Sequence, residues 1–153
     1  MPAKKPNQIR LQVRIRASAE DVWAALVEPE QIKKWWGASE AVIEARKGGA
    51  WAAAWAGGQG YRAVACGVIR SIAPVKRLRI EPLVCFSTDS QVPGPLRMSF
   101  SVAEKGGLTR VIVRQEPIGN APQWESYAQK AVAAWREILE NLKRLLEETG
   151  GSA

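Results

Sequence analysis

Residues 15–37, IRASAEDVWAALVEPEQIKKWWG, decide the fold more than any other part of the chain. Ser18 with Asp21 fits a capping box at a helix N-terminus, and Pro29 can end that helix and begin a second one. The apolar side chains then share the inner faces of two short helices: Val22, Trp23, Leu26, Ile32, Trp35 and Trp36. Two bent helices that carry tryptophans typically close the mouth or side of a curved sheet. This stretch therefore predicts a fold with a cavity.

Alternating segments surround these helices. Residues 9–16 alternate apolar and polar side chains, which is the pattern of a half-buried strand. Further strands are predicted at residues 40–45, 50–55, 61–72, 78–86, 96–103 and 108–116, separated by glycine or proline signals. Gly106-Gly107 marks the best-defined hairpin turn. The pattern predicts about six or seven antiparallel strands.

A long amphipathic helix is predicted from Pro122 to about Glu148. Its apolar positions keep a helical period: Ala128, Ala131, Val132, Trp135, Ile138, Leu139, Leu142, Leu145 and Leu146. We expect residues 1–7 to be a disordered lead-in, residues 8–149 to form one domain, and residues 150–153 to be a disordered tail. The order of elements predicts an α+β fold.

Length and composition are those of an ordinary globular domain. The chain has 153 residues, of which 46% are hydrophobic and 24% are charged. No apolar run approaches the roughly 20 residues that span a bilayer, and the basic N-terminus lacks the apolar region of a secretory signal. We therefore expect a cytoplasmic protein with no stable membrane association.

The net charge of +7 raises the question of nucleic-acid binding. The arginines do not form a cluster: Arg10 and Arg14 alternate with apolar residues on the first strand, and Arg110 and Arg114 do so on a late strand. This alternation is typical of the solvent-exposed face of a half-buried sheet. We expect no nucleic-acid partner.

The chain has no histidine and two cysteines, Cys66 and Cys85. This set cannot form a metal site by itself, so we expect no metal and no cofactor. The two cysteines fall on predicted neighbouring strands, but a one-residue slip in register would separate them onto opposite faces. We expect buried free thiols. A catalytic cysteine would need a base such as histidine.

The order of these elements resembles the helix-grip fold of the START-like (SRPBCC, Bet v 1-like) superfamily. The motifs resemble its branch related to the C-terminal domain of the Hsp90 ATPase activator, across residues 8–147. They are the pattern Ala-x-x-x-x-Val-Trp-x-Ala-Leu at residues 17–26, Pro-Glu at residues 29–30, Trp-Trp at residues 35–36, Gly-Gly at residues 48–49, a Gly67 to Leu78 segment with Ile72 and Pro74, Trp124, and Trp135 preceded by Ala134 in place of the frequent glycine.

The resemblance implies a curved antiparallel sheet wrapped on the long C-terminal helix, with an apolar pocket between them. Contact with Hsp90 is implied weakly, because in the activator a separate domain does much of the partner binding. The alanine run at residues 50–56 leaves space for a ligand-sized void. Strand alternation and the Trp positions place the candidate ligand-binding residues: Trp36, Trp51, Trp55, Tyr61, Met98, Phe100, Val113, Gln115 and Trp135.

Three functions follow from this pattern. The favoured one is binding of a hydrophobic or aromatic small molecule, lipid-like or polyketide-like, without catalysis. The second is a cyclase-like or hydrolytic enzyme, for which the acid–base candidates near strand ends are Glu40, Glu44, Glu81 and Asp89. These carboxylates form no recognisable pair, so we assign no catalytic residue. The third is a protein-interaction module of the chaperone-activator kind, and the oligomeric state stays open.

Overall fold

The computed structural model describes residues 8–89 and 92–150, and its elements follow the predicted order. They are β1 (Ile9–Ile15), α1 (Ala19–Val27), α2 (Pro29–Trp36), β2 (Glu40–Ile43), β3 (Ala50–Ala56), β4 (Tyr61–Ala73), β5 (Arg77–Ser87), β6 (Leu96–Lys105), β7 (Leu108–Pro117) and α3 (Trp124–Gly150). The predicted lead-in at residues 1–7 and residues 151–153 of the predicted tail lie outside the described residues.

The seven strands form one antiparallel sheet in the order β1-β7-β6-β5-β4-β3-β2. The first strand therefore pairs with the last one, and β1 and β2 become the two edges. The curved sheet, the long C-terminal helix and the two short helices after β1 confirm the predicted helix-grip α+β fold.

Helices α1 and α2 are joined by side-chain bonds that the sequence motif explains. The N–H of Asp21 donates to Ser18 Oγ at 3.1 Å, which confirms Ser18 as the N-cap and is one of the two hydrogen bonds of the predicted capping box. Pro29 opens α2 and has no N–H to give to the Ala25 carbonyl one turn earlier. The indole N–H of Trp35 takes that place and donates to the Ala25 carbonyl at 2.8 Å. The buried Trp35 side chain thus satisfies a backbone carbonyl that the proline break leaves without its helical donor.

The β6–β7 hairpin has the predicted register. Met98 pairs with Gln115, and Phe100 pairs with Val113. Because side chains alternate along a strand, all four point to the concave face, where each is buried. On the convex face, Arg97 forms ion pairs with Glu81 and Glu116, each at 2.9 Å. The alternation of apolar and charged residues in the sequence thus corresponds to the concave and convex faces of the sheet.

The alanine run of β3 does not have the expected role. Ala50, Ala52 and Ala54 pair with Val68, Cys66 and Val64 on the convex face. Of the five alanines expected to leave internal space, Ala53 lies on the concave face between Trp51 and Trp55. The expectation that this run leaves the internal space was wrong, because consecutive small residues on one strand are divided between the two faces of the sheet.

Helix α3 determines where space remains inside the fold. It packs most closely on β1 and α2. Strands β3, β4 and β5 lie further along the curved sheet and face the N-terminal half of α3 across a gap. Within the described residues, no helix is long and apolar enough to cross a membrane.

Candidate functional site

A pocket of about 550 Å³ lies between the N-terminal half of α3 and strands β3–β5. Its apolar wall is built mainly from large side chains of α2, β3, β5, β6 and α3: Trp36, Trp51, Trp55, Leu83, Met98 and Trp135. This volume and this composition are typical of sites that enclose a small organic molecule.

Trp36 is the centre of the aromatic wall. Its ring centroid lies 4.7 Å from that of Trp135, 5.5 Å from that of Trp55 and 5.6 Å from that of Trp51. The indole N–H of Trp55 donates to the Trp36 carbonyl at 3.1 Å, which ties β3 to the end of α2. Aromatic pairs at these distances contribute about 0.5–1.5 kcal/mol each beyond their area burial, so the wall is held in place by its own contacts.

Small side chains keep the pocket open. Ala63 and Ala65 of β4 face Ala131 and Ala134 of α3 across it. A larger side chain at any of these four positions would project toward the opposite wall. The space therefore comes from alanines on two different elements, which only the folded arrangement brings face to face.

A buried polar pair lies at one end of the pocket. The Tyr127 hydroxyl donates to Gln115 Oε1 at 2.7 Å, and Gln115 Nε2 donates to the Met98 sulfur at 3.4 Å. Burial is the main cause that raises the pKa of the Tyr127 phenol, so Tyr127 stays protonated at neutral pH. Tyr127 thus supplies the hydrogen-bond partner that the buried Gln115 amide requires on an apolar strand face.

We predict that Tyr127→Phe lowers the free energy of unfolding by about 1–3 kcal/mol, because Gln115, only 4% exposed, would keep an unpaired amide oxygen. Adding Gln115→Leu to this variant should recover part of the loss, since both polar partners are then gone. Urea unfolding of the wild type, both single variants and the double variant measures the coupling. Strictly additive single effects would contradict a hydrogen bond between these two residues.

The structure places the nine predicted ligand-binding residues in three regions. Six of them border the pocket: Trp36, Trp51, Trp55, Met98, Gln115 and Trp135. Phe100 and Val113 are buried in the core behind it, and Phe100 contacts the rings of Trp36 and Trp135. Tyr61 lies outside the pocket, is 48% exposed, and its hydroxyl donates a hydrogen bond to Glu40.

A stripe of polar residues at the start of α3, which the sequence pattern did not predict, also borders the pocket. Gln123, Ser126, Tyr127 and Lys130 border the pocket together with Ala131, Ala134, Trp135 and Ile138. These positions recur every three or four residues and so share one helix face. The spacing was readable in the sequence. Its polar members do not follow the apolar period by which the inner face of an amphipathic helix is recognised.

The two cysteines differ from the expectation that both are buried. Cys66 is exposed, whereas Cys85 is half-buried and borders the pocket. Cys85 pairs with Ala65 and Cys66 pairs with Val84, so alternation puts the two thiols on opposite faces of the sheet. Both thiols are free. Burial raises the pKa of the Cys85 thiol to about 12, which keeps it in its unreactive neutral form.

The candidate acid–base carboxylates lie away from the pocket. Glu44 forms an ion pair with Arg46, and Glu81 forms ion pairs with Arg79 and Arg97 on the convex face. The hydrogen bond from Arg97 is the main cause that lowers the pKa of Glu81. Across residues 8–89 and 92–150, no acidic side chain borders the pocket, and no three metal-binding side chains form a group. The site offers shape, aromatic surface and a few neutral polar groups.

Comparison with solved structures shows the same fold in proteins from several bacteria. Protein CV1439 from Chromobacterium violaceum is 23% identical, with a TM-score of 0.70 over 93% of this chain and 99% of that one. Protein NE0264 from Nitrosomonas europaea is 18% identical, with a TM-score of 0.75 over 96% of this chain and 99% of that one. The Aha1 dimer from Colwellia psychrerythraea is 18% identical, with a TM-score of 0.68 over 92% of this chain and 96% of that one.

Among curated proteins, none matches the sequence significantly. A family model does match: that of the Activator of Hsp90 ATPase homolog 1-like proteins fits residues 16–147, from the end of β1 to the last turns of α3. The match spans the two short helices, the sheet and the pocket-lining stripe of α3. The chain therefore belongs to the family of Activator of Hsp90 ATPase homolog 1-like proteins, within the SRPBCC superfamily.

Proposed function

We propose that this protein binds a hydrophobic or aromatic small molecule in the pocket between α3 and strands β3–β5, without catalysis. The observation that carries the proposal is the tryptophan wall around Trp36 beside a space of about 550 Å³. Flat aromatic faces in a concave apolar site favour a ligand that stacks on them or buries hydrocarbon against them.

The chemistry around the pocket supports binding over reaction. The Cys85 thiol and the Tyr127 phenol both have raised pKa values and are neutral at pH 7. General acid–base catalysis needs a group whose pKa lies near the operating pH and which can reach the reacting atom. Within the described residues, the acidic side chains that could take this role lie outside the pocket.

Native mass spectrometry of the protein as purified tests the proposal. A discrete extra mass that denaturation releases would support an occupied pocket and would identify the class of ligand. The purified protein should also bind the neutral fluorescent probe pyrenebutanol, detected by energy transfer from the tryptophans to pyrene. An apo mass together with no energy transfer would contradict the proposal.

Contact with an Hsp90 is a second candidate, favoured by an exposed apolar row on the convex face. Val42, Ala52, Cys66 and Val84 lie directly opposite one another across four neighbouring strands. Val42 is 58% exposed and Val84 is 56% exposed, which is unusual for valines in a sheet that has a well-packed concave face.

If this row contacts Hsp90, the double variant Val42→Ser/Val84→Ser should weaken the interaction about tenfold or more and abolish any effect on the Hsp90 ATPase rate. Trp55→Ala, which alters the pocket wall, should leave Hsp90 binding intact and serves as the control. Co-sedimentation and an ATPase assay provide the two measurements. Equal weakening by both variants would argue that the convex row is not the contact surface.

A further inference from the structure

The pocket is chemically divided along its length. Its tryptophan wall lies on α2, β3 and the middle of α3, whereas four of its polar side chains lie in the first turns of α3 or just before it: Gln123, Ser126, Tyr127 and Lys130. Gln115 of β7 faces this polar end and bonds to Tyr127. A ligand that has one polar end and an apolar body would therefore bind in a single orientation.

Lys130 gives the polar end its charge. Among the described residues that border the pocket, it is the one charged side chain. It is exposed, and within residues 8–89 and 92–150 it takes part in no ion pair. A lysine at the edge of a site can lay its hydrocarbon stem on the apolar wall and keep its ammonium group at the opening.

The groups near Lys130 add no negative charge. The raised pKa values of Cys85 and Tyr127 keep both of these side chains neutral at pH 7. Ser126, one turn before Lys130 on α3, and Gln123, which immediately precedes α3, offer neutral hydrogen-bonding groups. Among the described residues of the pocket wall, an anionic group that enters this end meets one cation and several donors, and no repelling carboxylate.

We propose that the ligand is an amphipathic acid, whose apolar body lies on the tryptophan wall and whose anionic head group pairs with Lys130 at the opening. This inference rests on the proposed binding function and adds the chemical class of the ligand. A neutral hydrocarbon or polycycle would use the same wall and would leave Lys130 without a partner.

Two matched probes separate the head group from the body. Pyrenebutyrate and pyrenebutanol share the apolar part and differ in the charge at one end. We expect the wild type to bind pyrenebutyrate about five- to tenfold more tightly than pyrenebutanol at low ionic strength. Added salt should reduce this preference, because it screens a partly exposed pair.

Lys130→Gln should remove the preference for the acid and leave the affinity for pyrenebutanol within about twofold of the wild type. Lys130→Glu should make the alcohol the better ligand, because a like charge then faces the head group. Arg136→Gln is the matched control, since Arg136 is an exposed cation of the same helix that does not border the pocket. It should keep the preference for the acid.

Two outcomes would overturn the inference in distinguishable ways. If the wild type binds both probes equally and Lys130→Gln changes neither affinity, the pocket binds hydrophobic molecules but does not select an acid. If the wild type binds neither probe, the proposed binding function itself fails and the inference falls with it. Thermal unfolding of each variant verifies that the exposed substitutions leave the fold intact.

Discussion

Trp35→Ala is expected to lower the free energy of unfolding by about 3–5 kcal/mol, the usual cost of deleting a fully buried aromatic side chain. Trp35 is 1% exposed, stacks on Trp36 with ring centroids 5.3 Å apart, and contacts the edge of Phe100. The substitution also removes the donor to the Ala25 carbonyl, which Pro29 cannot replace. The loss combines a cavity with an unpaired carbonyl at the joint between α1 and α2.

Urea unfolding of Trp35→Ala and Trp35→Phe beside a control separates these contributions. Trp35→Phe keeps an aromatic ring and loses the N–H, so its free energy of unfolding should lie between those of the wild type and the alanine variant. Trp23→Ala is the control, because Trp23 is half-buried on α1 and does not border the pocket; about 1–2 kcal/mol is expected there. Equal losses for the two alanine variants would contradict a special role for Trp35.

Ala134→Trp is expected to weaken binding of pyrenebutanol by about 10- to 100-fold, because the new indole would occupy space that the ligand needs. Ala134 is exposed to solvent, yet it borders the pocket from α3. The added ring can therefore enter the open space without forcing apart a packed core. We expect the free energy of unfolding to stay within about 0.5 kcal/mol of the wild type.

Ala133→Trp is the matched control for this experiment. Ala133 is the preceding residue of the same helix, is also exposed, and does not border the pocket. Its variant should bind pyrenebutanol as the wild type does. Energy transfer from the tryptophans, with each variant calibrated for its added indole, reports both affinities. Unchanged binding by Ala134→Trp would show that the probe binds elsewhere on the protein.

The fold was accessible to sequence reasoning because its signals are local. Ser18 and Pro29 act within one helical turn, and their predicted roles are confirmed by the Asp21 bond to Ser18 and the start of α2. The register of Met98 with Gln115 followed from counting outward from the Gly106-Gly107 turn, since a short hairpin leaves little freedom in pairing. Such patterns depend on neighbours in the chain and on a known period.

The candidate site was less accessible because its parts are distant in sequence. Trp36 and Trp135 are about a hundred residues apart, and their rings lie 4.7 Å from each other. By sequence spacing Tyr61 alternates with Ala63 and Ala65, but the register shifts at Arg62, since Trp55 pairs with Ala63 and Ala56 pairs with Tyr61. Tyr61 lies at the exposed start of β4. Lys130 and Tyr127 escaped notice because a polar residue on a helix ordinarily faces solvent.

By itself the sequence determined the order of strands and helices, the faces of the β6–β7 hairpin and the family resemblance, because each depends on spacing along the chain. Only the tertiary structure decided that the alanines of β4 face those of α3 across a space, and that Cys66 and Cys85 point to opposite sides of the sheet. It also put Lys130 at the pocket. The physical reason is that the curvature of the sheet and the angle of α3 determine which distant side chains meet. Neither of them can be predicted from a pattern of neighbouring residues.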